Sequence, residues 1–202
     1  MKSIKLTASL LLVFTVYFLS YSCSCSTCTK KEEVNIPDHI LKNANNFVIS
    51  KTGEEFYNKY ITPDFTNTKI TPPYYEMYYR MYIPEKPYVN NKIYFTMDST
   101  GNVVEKNDIL GIPECLKSPS RCDWQIDKSQ AIEIAKRNNL EEGIKDWQVG
   151  FIWNPERKIY VWHILSTIRE FQGEFGYRGS GKEMIIDPVT GELLAVNDWH
   201  IK

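Results

Sequence analysis

The most regular signal along the chain is alternation. From Tyr74 to Ile83 the apolar set Tyr75, Met77, Tyr79, Met81 and Ile83 alternates with Tyr74, Glu76, Tyr78, Arg80 and Tyr82. A period of two gives a strand with one face turned to a core. Pro84-Glu85-Lys86-Pro87 then turns the chain, and Lys92 to Met97 predicts a second strand with Ile93, Phe95 and Met97 inward. Asp98-Ser99-Thr100-Gly101 predicts a tight turn into Val103 and Val104, since Asp bonds its own backbone and Gly supplies positive φ. Ahead of these strands, Thr52 followed by Glu55 has the form of a capping box. Phe56, Tyr57, Tyr60 and Ile61 recur at helical spacing until Pro63 stops the segment.

The same order of signals returns further on. Asp127 with Gln130 three residues later predicts a capped helix whose buried stripe is Ala131, Ile132, Ile134 and Ala135. Trp147, Val149, Phe151 and Trp153 alternate along one strand, Asn154-Pro155-Glu156-Arg157 turns, and Lys158 to Ile168 is rich in β-branched and aromatic residues. Residues 171–182 hold four glycines and read as a mobile hairpin loop. Lys182 to Ile186, the Asp187–Gly191 turn and Leu193 to Val196 complete the pattern. Asp98-x-x-Gly101 and Asp187-x-x-x-Gly191 are the same device, which points to an internal duplication. The expected fold class is α+β, two tandem helix-plus-antiparallel-sheet units. The first unit is placed at 47–110, a linker at 111–123 and the second unit at 124–202.

The N-terminal residues carry a different pattern. Lys2 and Lys5 precede an uncharged, mostly apolar run from Leu6 to Leu19 that ends before Ser22-Cys23. That is shorter than the roughly 20 residues a spanning helix needs and predicts a signal peptide over 1–22. Residues 23–46 are polar, with Lys30-Lys31-Glu32-Glu33 and several Asn, and read as a tether with a short helical turn near His39. Without Lys2 and Lys5 the chain has 22 basic against 25 acidic side chains, of the 24 and 25 in the whole sequence. Basic and acidic residues are interspersed, which argues against a nucleic-acid partner.

Leu19-Ser20-Tyr21-Ser22-Cys23 resembles the relaxed lipobox of Bacteroidetes-type exported lipoproteins. The resemblance implies lipidation at Cys23 and attachment to membrane lipid at the cell envelope, at the outer membrane on its periplasmic or surface face; the alternative is cleavage and release. Cys115 and Cys122 bracket the polar stretch Leu116-Lys117-Ser118-Pro119-Ser120-Arg121, a loop that a disulfide could close in an oxidising compartment, against two free buried thiols. Cys25 and Cys28 form a C-x-x-C without a following helix pattern and fall in the tether.

The second unit resembles the PepSY domain of peptidase propeptides and exported bacterial proteins. The likeness rests on the opening helix, residues 126–135, and on the closing turn and strand, residues 185–194. It spans 124–199, with the first unit resembling a degenerate copy. The resemblance implies a cystatin-like helix-on-sheet fold and a non-enzymatic role, inhibiting or chaperoning a secreted peptidase. This chain differs in lacking a following peptidase sequence and in its Gly-rich insertion.

The remaining constellations read as structural. Gly176-Tyr177-Arg178-Gly179-Ser180-Gly181-Lys182 approaches a P-loop, but Glu183 replaces the required Ser or Thr and a strand follows. His39, His163 and His200 are too far apart for a zinc signature. Asp98 and Asp187 sit at turns, where backbone bonding explains them better than acid catalysis. No catalytic residue, metal or cofactor is expected. The aromatic content is the anomaly, with Tyr74, Tyr78 and Tyr82 on one strand face and Trp147, Trp153, Trp162 and Trp199 in the second unit. Of these, Tyr74, Tyr78, Tyr82, Trp153 and Trp162 form a candidate binding surface for a protein or a glycan, against a reading in which half of the aromatics are core and half cover sheet edges.

Overall fold

The computed structural model describes residues 35–173 and 176–201. The segment read as a signal peptide, with Cys23, Cys25 and Cys28, lies outside these residues. The described chain is an α+β protein with three α-helices and two antiparallel four-stranded sheets. None of its helices is long and apolar enough to cross a membrane.

Helix α1, Asp38–Thr52, begins inside the segment read as tether. Ile40, Ala44, Val48 and Thr52 recur every four residues and are buried, the spacing that lines one helix face. Full burial of Ile40 and Val48 stabilises by about 1.5–3 kcal/mol each. The asparagines that suggested a solvated tether are tertiary partners. Asn43 Nδ2 donates to the Gly101 carbonyl at 3.1 Å, and Asn45 Oδ1 accepts from the Tyr79 hydroxyl at 2.8 Å. Gly53, at φ 84°, ends α1 and opens α2, Glu54–Tyr60. The Thr52–Glu55 capping box therefore does not form, because Thr52 is already helical and its hydroxyl donates back to the Val48 carbonyl at 3.0 Å.

Sheet A contains β1, Ile61–Pro63, β2, Lys69–Thr71, β3, Tyr74–Tyr82, and β4, Asn90–Asp98. Strand β3 is central, with β1 and β2 sharing one edge and β4 on the other. Met77, Tyr79 and Met81 from β3 and Ile93, Phe95 and Met97 from β4 are buried, as the alternation requires. Phe47 of α1 packs edge-on against Phe95 with ring centroids 4.9 Å apart.

Sheet B is a meander of β5, Gln148–Asn154, β6, Ile159–Gly173, β7, Gly176–Ile186, and β8, Leu193–Ile201. Helix α3, Lys128–Arg137, starts with a reciprocal capping box between Asp127 and Gln130 and buries Ala131, Ile134 and Ala135. The Gly-rich stretch is not a loop. Strands β6 and β7 pair as far as Gly173 and Gly176, so residues 176–182 are strand. The two acid-to-glycine turns share their device but differ in length by one residue. Asp98 Oδ1 accepts the Thr100 and Asn102 amides, Asp187 Oδ1 accepts the Val189 and Thr190 amides, and Gly101 and Gly191 have φ of 87° and 75°.

The segment placed as a linker is packed, not loose. Ile112 and Cys115 are buried, the Leu116 amide donates to the Lys51 carbonyl, and Lys51 pairs with Glu114 at 2.7 Å. Cys115 and Cys122 form a disulfide with Cα atoms 5.5 Å apart. Trp124 follows it and joins the halves. Its ring meets Phe56, Phe151 and Tyr160, and its carbonyl accepts from Lys86 Nζ and the Tyr88 hydroxyl. Both sheets thus contribute to one continuous core.

Candidate functional site

Cross-strand partners in an antiparallel sheet share a face, so the register sorts the residues of sheet B. Tyr160, Trp162, Ile164, Met184 and Ile186 lie on the face covered by α3 and are buried. On the opposite face lie Gln148, Gly150 and Ile152 of β5 and Val161, His163, Leu165 and Thr167 of β6, of which Val161 and Thr167 are buried. Across from these, β7 presents Glu183, Gly181 and Gly179, and β8 presents Asn197, Trp199 and Ile201.

The centre of this uncovered face is a polar row. His163 Nε2 lies 2.8 Å from Glu183 Oε2, and Asn197 Nδ2 donates to Glu183 Oε1 at 2.9 Å. The Asn197 bond, with the adjacent His163, holds the Glu183 carboxyl below the usual glutamate range against the opposing effect of partial burial. Farther along, Glu170 contacts Lys145 and accepts from the Tyr177 hydroxyl at 3.1 Å. Those two bonds, that to Lys145 foremost, lower the Glu170 pKa.

Trp199 is the aromatic centre of the face. Its indole N–H donates to the Ser166 carbonyl at 3.0 Å. A Cβ at Gly179 would stand 3.1 Å from the ring carbons, and one at Gly181 would collide with the Ser166 carbonyl oxygen. The two glycines therefore leave a trough that the indole fills, with its position fixed by the N–H bond. Lys145, Gln148, Leu165, Thr167, Tyr177 and Trp199 border a depression of about 420 Å³ beside it. Ile152 and Ile201 extend the face as exposed apolar side chains. The face thus combines a pinned aromatic ring, a row of hydrogen-bonding side chains and scattered apolar groups.

The surface expected from the sequence is divided by the structure. Tyr74 and Tyr82 are exposed on the outer face of sheet A, 42% and 39%. Tyr78 sits between them with its ring against Tyr94, centroids 4.9 Å apart. Trp153 and Trp162 belong to the other sheet and to its helix-side face. Trp162 is 1% exposed and donates its N–H to the Ile126 carbonyl at 2.8 Å, so it is core. Trp153 packs edge-on against Tyr160 with centroids 5.2 Å apart, facing the same aromatic core. Trp199, Tyr177 and Gln148 were not among the expected surface residues. The signal that finds them is the alternation Ala195, Asn197, Trp199, Ile201, together with Gly179 and Gly181 opposite, which mark a close approach rather than a loop.

Among the described residues no three His, Cys, Asp or Glu side chains converge as a metal cluster. No protein-family model matches the chain, and no curated protein matches it.

Proposed function

We propose that this chain is a non-catalytic binding module of the bacterial cell envelope, anchored to membrane lipid through Cys23, that engages a secreted peptidase through the uncovered face of sheet B. The observation that carries the reading is that face itself. It holds Trp199 pinned over Gly179 and Gly181, the His163–Glu183–Asn197 row, and exposed Ile152 and Ile201. Tyr and Trp with scattered apolar groups are enriched in protein-contact surfaces. Strand β8 closes the sheet as an edge, and a bare edge accepts an extended peptide segment. Arg157 Nη2 donates to the Leu194 carbonyl at 3.3 Å, which blunts only the beginning of that edge.

The PepSY resemblance supplies the partner class. The capped helix α3 over an antiparallel meander, closed by the Asp187–Gly191 turn, is consistent with a cystatin-like, PepSY-type second unit. The test is capture from native envelopes with a photo-crosslinker at Ile152 or Tyr177, followed by assay of the captured protein. The reading expects a peptidase whose activity falls on adding the purified protein, and expects Trp199→Ala to abolish both effects while Tyr74→Ala changes neither. Capture of no specific peptidase, or loss only with Tyr74→Ala, counts against it.

A second reading is favoured by the depression beside Trp199. A fixed indole bordered by Lys145, Gln148 and Tyr177 suits a sugar ring, whose C–H face stacks on the aromatic while its hydroxyls meet the polar border. A glycan array distinguishes the two. Binding lost in Trp199→Ala supports a glycan-contacting lipoprotein, and a blank array removes that reading.

A further inference from the structure

Beyond Thr167, sheet B continues past the last residues that α3 covers, as an arm built from the ends of β6, β7 and β8. On its helix-side face Arg169 stands opposite Ser180 and Ser180 opposite His200, with Phe171 opposite Arg178 in the next row. These five residues, with Glu170, Gly179 and Ile201 at its margin, line a depression of about 340 Å³. Neighbouring strands are about 4.8 Å apart, so the two guanidiniums and the imidazole lie within reach of one small ligand.

The arrangement is electrostatically one-sided. Like charges at facing and diagonal positions of a sheet repel, and among the described residues Glu170 is the one acidic residue bordering this depression. Glu170 is turned to the opposite face, held by Lys145 and Tyr177. Asp198, one row away, accepts from Lys182 at 2.8 Å. Phe171, 66% exposed, adds an apolar wall beside Arg178. Guanidinium groups bind carboxylate and phosphate oxygens in bidentate geometry, Ser180 adds a hydroxyl donor, and an exposed ring favours a ligand with an apolar part.

We propose that the arm carries a binding site for an oxyanion, phosphoryl or carboxylate, borne on an aromatic or apolar group. Arg169 and Arg178 grip the oxygens, Ser180 and His200 complete the polar floor, and Phe171 covers the apolar part. The two arginines are on the opposite strand face from Trp199, while His200 and Ile201 border both this depression and the one beside Trp199; the inference does not rest on the function proposed for the Trp199 face.

Calorimetric titration of the full chain with phenyl phosphate, N-acetylphenylalanine and inorganic phosphate tests it. Saturable binding of phenyl phosphate alone assigns a phosphoryl ligand, of N-acetylphenylalanine alone a carboxylate, and of both a general oxyanion site. Inorganic phosphate is expected to bind at least about tenfold more weakly than the better aromatic probe. Arg169→Gln and Arg178→Gln should each weaken binding about tenfold with unchanged unfolding midpoints. Phe171→Ala should remove the advantage of the aromatic probe and leave inorganic phosphate as before. In the unaltered protein, amide NMR shifts should change at Ser180 and His200, a readout needing no variant. Absence of saturation with all three probes overturns the proposal, as does an equal loss in Lys128→Gln on α3, which would reveal bulk charge attraction alone.

Discussion

The Tyr79 hydroxyl donates to Asn45 Oδ1 at 2.8 Å, joining the middle of β3 to a helix that the composition of its own residues conceals. Tyr79 is buried, which pushes its hydroxyl pKa well above the usual tyrosine value, so the phenol stays neutral and needs a partner. Asn45→Ala should lower stability by about 1–3 kcal/mol, because it strands a buried donor. Tyr79→Phe, which removes the donor itself, should lower it less. Urea unfolding of both single variants and the double variant checks this. Additive losses would show that the two groups are not coupled.

That bond also shows where the sequence was readable. Met77, Tyr79 and Met81 alternate with polar residues because β3 has one buried face, and Asp127 with Gln130 forms the capping box its spacing announces. Helix α1 was hidden because Asn43 and Asn45 look solvated in sequence, while their partners, Gly101 and Tyr79, lie 58 and 34 residues away. The glycines of β7 misled for a related reason. Glycine weakens a strand locally, and only the cross-strand indole of Trp199 shows why Gly179 and Gly181 are there.

Gly181→Ala should therefore be far more damaging than Gly150→Ala. At Gly181 the added carbon meets backbone, the Ser166 carbonyl, whereas at Gly150 it meets only the end of the Ile152 side chain at 3.3 Å. Expected losses are about 3 kcal/mol and less than about 1 kcal/mol. Thermal unfolding of the two variants measures them, and equal losses would contradict the close approach at Gly181.

The Cys115–Cys122 bridge closes a loop with a sequence separation of 7. On the chain-entropy model such a loop is worth about 2.5 kcal/mol. The Cys115→Ser, Cys122→Ser double variant should melt about 5–10 °C lower, and a reductant should lower the parent protein to the same point while leaving the variant unchanged.

Glu183 gives a pH dependence of known sign. Its pKa is lower folded than unfolded, so its contribution to stability is fully present above the unfolded glutamate value, about 4.3. That contribution is lost as pH falls through the depressed folded value. The stability difference between the parent and Glu183→Gln should thus shrink from about pH 6 to about pH 3. A difference that stays constant over this window would exclude the linkage.

Trp124→Ala should cost about 3–5 kcal/mol, since its ring lies among Phe56, Phe151 and Tyr160 from both halves. For the same reason the parent should unfold in one step, with far-ultraviolet and near-ultraviolet dichroism giving coincident curves. Two separated transitions would show that the sheets are independent.

Lys86 and Tyr88 of the first half both hold the carbonyl of Trp124, and Tyr160 of the second donates to the Gly111 carbonyl at 2.8 Å. The junction between the halves is thereby clamped rather than hinged. A partner of the kind proposed would meet halves already fixed relative to one another, so the ordering entropy of association would fall mainly on that partner, and rigid-body docking would be the fitting description of the encounter.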